Sequence, residues 1–465
     1  MKTIFILIPL SFVVLKSNCQ QYFSKLYGEE EVETAFSMEK CNNGYFLLGR
    51  TTSFNDSNGD VYLVKVDSLG NELFNVSWGN EERNNCFKIK NTSDNCYILC
   101  GSNTLPSFDS DEMVLRKINE QGELIWQQTF LENPYRNLLL DVEETVDKEF
   151  ITIGVVGQNF DEDLIILKTD SLGNQLSSNI LDFGDRDIFY QIERNNSNEF
   201  FVGGLIRNDN NQDISICKLN PQGDTLWVKT YPDTNFIDEA TSIDVVDNNE
   251  LIILGRSYNE DESGFKLIKI NSDGLVIWQS YFPINNNFRP NHILNTEDGG
   301  FLVVGRIGTD NQIRAIIYKT DSNGQVIWEQ DFPGANYSNI QEALEENNGF
   351  LLFGDSDEKV DEKQNLKLIK INKEGQLTRT LFNNQKHQES IIYPNPTNQF
   401  IHLNISQNFK GIINISDTNG KVIRKVECNN QNELNLSLEH FENGVYFISF
   451  EGNLYFPTKK IIKSE

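Results

Sequence analysis

Residues 291–334 read NHILNTEDGGFLVVGRIGTDNQIRAIIYKTDSNGQVIWEQDFPG, and this stretch carries the plan of most of the chain. NHILNT is one strand, EDG a tight turn, GFLVVGR a second strand, IRAIIYKTD a third, SNG a turn and QVIWEQDF a fourth. Apolar and β-branched residues fill the runs, and Gly, Asn and Asp fall where the chain must reverse. In the second turn, Asp-x-x-Gly supplies a side chain that bonds nearby backbone, then a residue that tolerates positive φ.

The stretch is one of seven copies. Working outward, Lys-x-Asp/Asn-x-x-Gly recurs with turn glycines at Gly70, Gly122, Gly173, Gly223, Gly274, Gly324 and Gly375, spaced 50–52 residues apart. A second-strand glycine precedes each by 19–21 residues: Gly49, Gly101, Gly154, Gly204, Gly255, Gly305 and Gly354. Phe74, Trp126, Trp227, Trp278 and Trp328 each stand four residues after a turn glycine, whereas Ser177 and Arg379 take that place in the third and seventh copies. Four-stranded units of 40–50 residues indicate propeller blades. The expectation is an all-β chain with a seven-bladed β-propeller over residues 20–382. A parallel β-helix is the alternative, but its coils are usually shorter. Two segments compete to close the ring: Gln21–Gly28, which resembles the fourth strands of other copies, and Leu377–Phe382.

The ends of the chain carry different information. Residues 1–19 read as a secretory signal peptide, with Lys2 before a mostly apolar run from Ile4 to Leu15. That run is too short to cross a bilayer, and no other stretch is long and apolar enough. Ser17 and Cys19 suit a cut before Gln20. Lys16 and Asn18 disfavour lipidation at Cys19. The six remaining cysteines, Cys41, Cys86, Cys96, Cys100, Cys217 and Cys428, read as buried strand residues, and no CxxC pair suggests zinc.

Repetition stops after Phe382, residues 383–390 read as a polar linker, and residues 391–465 change in composition. Residues 386–465 hold 8 basic and 8 acidic residues, which leaves the propeller region with 30 basic against 60 acidic. The whole chain of 465 residues has a net charge of −28. Phosphate backbones are bound by Lys and Arg, so this balance argues against a nucleic-acid partner.

The tail contains Tyr393, Pro394, Asn395 and Pro396 in IIYPNPTNQF, Gly420 and Lys421 in DTNGKVI, Gly444 and Tyr446 in NGVYFISF, and Lys459 and Lys460 near the end. On these residues it resembles the type A C-terminal sorting domain of the type IX secretion system. The resemblance implies recognition by the outer-membrane translocon, removal by its sorting peptidase, and release or attachment at the cell surface. The alternating strands IHLNIS, GIINISDT, NELNLSL and GVYFISF are expected to form a small β-sandwich.

Chemistry is harder to place. The second-to-third-strand loops are acidic, and DSNGD resembles a calcium loop, with Asp56, Asn58 and Asp60 as oxygen ligands and Gly59 for the turn. It lacks a bidentate Glu, and a solvated turn is the plainer reading. The loop aromatics Phe54, Phe108, Phe160, Tyr258, Phe288 and Tyr337 could stack on sugars. The repeated lysines, Lys65 to Lys370, are expected to serve the blades themselves, with stems over apolar surface and ammonium groups at the edge. The repeated Trp residues are expected to be core between blades. Ser68, Ser171 and Thr225, each after Asp and before Leu, fit an O-glycosylation pattern that the secretion resemblance implies. No GxSxG, HExxH or phosphate loop occurs. The expected function is therefore a secreted or cell-surface protein, not an enzyme, that binds a glycan or protein and takes no cofactor beyond that calcium-like loop. The alternative is a carbohydrate-active hydrolase with an acid pair on the propeller face.

Overall fold

A computed structural model describes residues 22–28, 31–53, 59–79, 83–105, 110–158, 161–208, 211–233, 235–284, 287–309, 312–358, 363–377, 390–394, 396–417, 421–452 and 459–464. The chain divides into two compact units, Met1–Leu377 and Thr378–Glu465.

The first unit is built from antiparallel groups of four strands. In the first group, Glu33–Cys41, Gly44–Thr51, Asp60–Asp67 and Glu72–Trp78 pair in chain order. The sixth follows the sequence reading: Arg289–Asn295, Phe301–Thr309, Gln312–Thr320 and Val326–Pro333. The inner strands of the others are Asn84–Asn91, Arg136–Glu144, Arg186–Arg194, Ile237–Val246 and Ser338–Glu346. Each inner strand lies beside the next, and Ser338–Glu346 returns to Glu33–Cys41. The arrangement is propeller-like. One parallel bridge, Glu162 to Arg186, joins the third and fourth groups at their edges.

The last group takes its outer strand from the other end of the unit. Phe23–Tyr27 pairs with Asn365–Asn372, so the N-terminal candidate supplies the fourth strand. Most of the rival segment, residues 378–382, lies outside the described residues.

The repeated motif has a local cause. In the sixth group, Asp321 Oδ1 accepts from the N–H groups of Asn323 (2.9 Å) and Gln325 (2.8 Å), and Gly324 closes the turn with φ 79°. A Cβ on Gly324 would also stand 3.0 Å from Trp278 of the preceding group. The turn glycine therefore answers a backbone requirement and makes room for the neighbouring ring. The repeated lysines behave as blade residues. Lys117 pairs with Asp94 (2.7 Å), Lys168 with Glu149 (2.8 Å), Lys218 with Glu199 (2.7 Å), Lys269 with Glu250 (2.8 Å) and Lys319 with Asp298 (3.0 Å), each within its own group. Lys65 instead reaches Glu120 of the next group.

The second unit corrects one expectation. Its strands form a single five-stranded sheet, a half-barrel, in place of a two-sheet sandwich. IHLNIS and GIINIS belong to one long strand, Phe400–Ser416, and NELNLS to the end of another, Val422–Ser437. The first long strand pairs with the second along both halves and with Ser390–Tyr393 and Gly444–Gly452 at opposite ends. Inward residues from both halves, including Ile401, Leu403, Phe409, Ile413 and Ile415, share one core with Tyr446 and Ile461. Alternation alone cannot tell two strands from one long strand that bends, because the inward parity is the same.

Candidate functional site

The inner strands of the first unit create a site through a repeated irregularity. Each carries a β-bulge, with register shifts at Ala35/Ser37, Cys86/Lys88, Leu139/Asp141, Phe189/Gln191, Ala240/Ser242, Pro290/His292 and Ile340/Glu342. A bulge leaves one residue unpaired and re-aims its side chain. The seven extra residues, Phe36, Phe87, Leu140, Tyr190, Thr241, Asn291 and Gln341, all line one central cavity of about 380 Å³. In chain order the first four are apolar or aromatic and the last three are polar.

At five of the seven bulges the next residue accepts a hydrogen bond from the neighbouring inner strand. Asp141, Gln191 and Ser242 accept from the backbone N–H groups of Ile192 (3.1 Å), Ile243 (3.0 Å) and Ile293 (3.1 Å) in the next inner strand. Ser37 does the same for Ile89 (3.5 Å), and Glu342 for Met38 across the closure of the ring. Lys88 and His292 break the series. Lys88 cannot accept a hydrogen bond; it pairs with Glu342 at 2.6 Å, and Val142 N–H turns to its neighbour Asp141 (2.7 Å). His292 keeps a buried Nδ1 with no hydrogen-bond partner. Burial pushes its pKa down to about 4, so the imidazole is neutral near pH 7. Burial pushes Glu342 up, but Lys88, the neighbouring His292 and the Met38 N–H together more than reverse this, and its net shift is downward.

Three guanidinium groups gather on the polar side of the cavity: Arg256, Arg289 and Arg306. Arg256 lies over the Tyr258 ring at 4.3 Å and reaches Glu239 at 3.3 Å. Its Nε is buried without a hydrogen-bond partner. Arg306 donates to the Tyr337 hydroxyl at 2.9 Å. Arg289 is exposed, and its side chain makes no hydrogen bond or ion pair among the described residues. Partial desolvation, then repulsion from Arg256 and Arg306, lowers its pKa. This concentration of positive charge belongs to a chain of net charge −28. On the opposite side, Phe36 and Phe87 meet edge to face at 5.4 Å. A second chamber of about 160 Å³ is lined by Lys90 and Glu193, 3.4 Å apart, and Lys90 also lies 2.6 Å from Glu143.

The residues singled out from sequence fall in several places. Asp56 and Asn58 lie outside the described residues, and Asp60 is buried at the start of its strand. Phe54, Phe108 and Phe160 also lie outside them. Tyr258 and Tyr337 are beside the cavity arginines, whereas Phe288 is fully buried in a hydrophobic cluster and offers no stacking surface. Ser68, Ser171 and Thr225 are exposed. The seven bulge residues and the arginines were missed. A usable signal was present for two of them: Arg256 and Arg306 each directly follow a second-strand glycine.

In the second unit, Tyr393, Pro394 and Pro396 are exposed, and Tyr446 is buried with its hydroxyl donating to the Glu442 carbonyl at 2.8 Å. Lys421 closes a turn by donating its N–H to Asp417 Oδ1 at 3.0 Å. Gly444 opens one strand, and Lys459 and Lys460 open the last, paired with Ile448 and Phe447. Asn395 and Gly420 lie outside the described residues. Residues 391–464 match the family model described as a secretion system C-terminal sorting domain. The chain ends in a type IX sorting domain. The sorting domain implies export through the type IX machinery to the cell surface or beyond. No helix among the described residues is long and apolar enough to cross a membrane.

No curated protein matches the chain. Similar solved structures include the β-propeller domain of the Trilobed protease from Pyrococcus furiosus, at 9% identity and TM-score 0.43, covering 77% of this chain and 100% of that one. Polysaccharide lyase Uly1 is similar at 9% identity and TM-score 0.46, covering 78% and 94%. Pyrococcus horikoshii acylaminoacyl peptidase is similar at 9% identity and TM-score 0.43, covering 80% of this chain and 57% of the peptidase.

Proposed function

We propose that the first unit is a seven-bladed β-propeller and that it acts outside the cell as a non-catalytic binding protein for an anionic glycan. The seven repeats, the closed succession of inner strands and the N-terminal fourth strand support the blade count. The observation that carries the ligand class is the division of one cavity wall into two arcs. Phe36, Phe87, Leu140 and Tyr190 form an apolar arc, and Arg256, Arg289 and Arg306 bring guanidinium groups to the other side. A sugar ring has apolar C–H faces that suit aromatic side chains. A carboxylate on the same ring suits guanidinium, which binds it through paired hydrogen bonds. The acidic surroundings repel anions in general, so a local positive arc favours a ligand that can enter the cavity and present its charge there.

The test is a glycan array on the purified mature chain, with neutral, carboxylated and sulfated members, and with soluble products followed by mass spectrometry. Binding to carboxylated members without new products is the expected result. Arg289→Ala should weaken that binding at least tenfold and leave folding intact, because Arg289 has no described hydrogen bond or ion pair to lose. Shortened oligosaccharides would establish the hydrolase alternative, and binding only to protein ligands would overturn the glycan assignment.

A further inference from the structure

We infer that the junction between the third and fourth four-stranded groups binds a calcium ion through Asp163, Asp182 and Asp187. One oxygen from each lies within 4.8 Å of the others. Calcium ligands sit about 2.3–2.6 Å from the ion, so opposite ligands are separated by about 5 Å, and the three carboxylates fit around one centre. Asp187 is fully buried. Its Oδ2 accepts from the Phe183 N–H, but its Oδ1 has no hydrogen-bond partner; Asp163 Oδ1 is likewise buried and unpartnered. The nearby arginines, Arg136 and Arg186, are both engaged with Glu162. No Lys or Arg among the described residues forms an ion pair with any of the three aspartates. A buried carboxylate without a partner is costly unless a cation meets it.

The next junction of the same chain has such a cation. Asp213, Asp233 and Asp238 repeat the arrangement. Asp233 precedes Asp238 by five residues, as Asp182 precedes Asp187, and Asp213 stands in the third strand of the preceding group, as Asp163 does. There Lys266 places its ammonium 2.8 Å from Asp238 and 3.0 Å from Asp233. Lys266 stands opposite the second-strand glycine Gly255; at the same register, opposite Gly204, the fourth group has Ser215. A serine side chain carries no charge and cannot reach across the junction. One junction thus holds its own cation, and the other presents three carboxylates without one.

The donor set also limits the ion. Three carboxylates with no His or Cys favour a hard cation over zinc or copper. Partly wet, irregular oxygen sites suit calcium better than magnesium, which demands near-octahedral geometry.

The test uses the mature chain stripped with a chelator, then titrated with CaCl₂ under thermal unfolding and equilibrium dialysis. Tm should rise with calcium, with an affinity of about 10⁻⁴–10⁻³ M, as in other extracellular sites. Asp187→Asn should lower bound calcium by one ion per chain. Ser215→Lys should raise Tm in chelator and remove the same ion, because it copies the Lys266 solution. Lys266→Ser should add one ion at Asp213, Asp233 and Asp238. A wild-type Tm unchanged between chelator and about 10 mM CaCl₂ would overturn the inference. So would wild-type stoichiometry in both Asp187→Asn and Ser215→Lys.

Discussion

Phe23 stands opposite Lys370, in the register that Trp126 holds opposite Lys117 and Trp328 holds opposite Lys319. It also fills the same space: a Cβ on Gly70 would lie 2.6 Å from the Phe23 ring, as one on Gly375 would lie 2.6 Å from Trp328. The N-terminal strand therefore supplies the aromatic residue that the seventh copy lacks, where Arg379 takes its place. Phe23→Ala should destabilise the mature chain by ~3–5 kcal/mol, the range for truncating a buried Phe. Urea unfolding measures it. A loss below about 1 kcal/mol, within the range of ordinary surface substitutions, would mean that residues 377–382 close the ring.

The turn glycines give a graded prediction. Gly375 (φ 78°) faces Trp328, but Gly223 (φ 87°) meets only an Ile166 methyl at 3.5 Å, because Ser177 stands where other copies have an aromatic residue. Gly223→Ala should cost ~1–2 kcal/mol for the left-handed backbone alone. Gly375→Ala should cost a further ~1–3 kcal/mol for the steric conflict. Thermal unfolding of the two variants compares them directly, and equal losses would refute the second role of the glycine.

The contribution of Asp355 to stability should fall as pH rises towards neutrality. Asp355 is buried, and burial pushes its pKa to about 7, with the Asn339 hydrogen bond and Arg306 only partly opposing this. Its folded-state pKa lies above the unfolded value of 3.8, so the folded chain holds the proton more tightly. The resulting stabilisation is present in acid and is lost as pH rises from about 4 through 7. Asp355→Asn should match the wild type near pH 4 and exceed it at pH 8 by a few kcal/mol, at ~1.4 kcal/mol per pKa unit. Urea unfolding from pH 4 to pH 8 should show this widening gap, and a constant difference would contradict it.

Removing residues 386–465 should separate folding from export. The first unit and the sorting domain have separate hydrophobic clusters. The truncated chain should unfold cooperatively and remain in the periplasm, whereas the full chain leaves the cell. Cell fractionation and thermal unfolding check both halves. Normal appearance outside the cell would refute the sorting role, and loss of cooperative unfolding would make the tail part of the first unit's fold.

Ser68, Ser171 and Thr225 are exposed at or beside third-to-fourth-strand turns, within reach of a modifying enzyme. The preceding Asp67 and Asp170 already bond backbone N–H groups in their turns, a structural reason for the Asp that needs no glycan. Intact-mass measurement on protein from the native host should show sugar additions. The bare peptide mass would assign these residues to turn formation alone.

The period, the strand order within each repeat and the sorting domain are all legible in the order of the residues. Each of these rests on local chemistry: alternation, Asp-x-x-Gly turns and contiguous motifs. That order also allowed the repeated lysines to be read as structural, because one side chain kept in seven copies points to what the copies share. Tertiary structure alone decided the rest. Phe23 replaces the missing seventh aromatic only when residues more than 300 apart become neighbours. The bulges turn Phe36, Phe87 and Tyr190 into one cavity, but strand alternation does not show where an extra residue is inserted. Arg256, Arg289 and Arg306 are ordinary surface charges until the inner strands converge. Lys266 and Ser215 differ by one side chain at one register, and the difference has meaning only beside the carboxylates that folding brings to each.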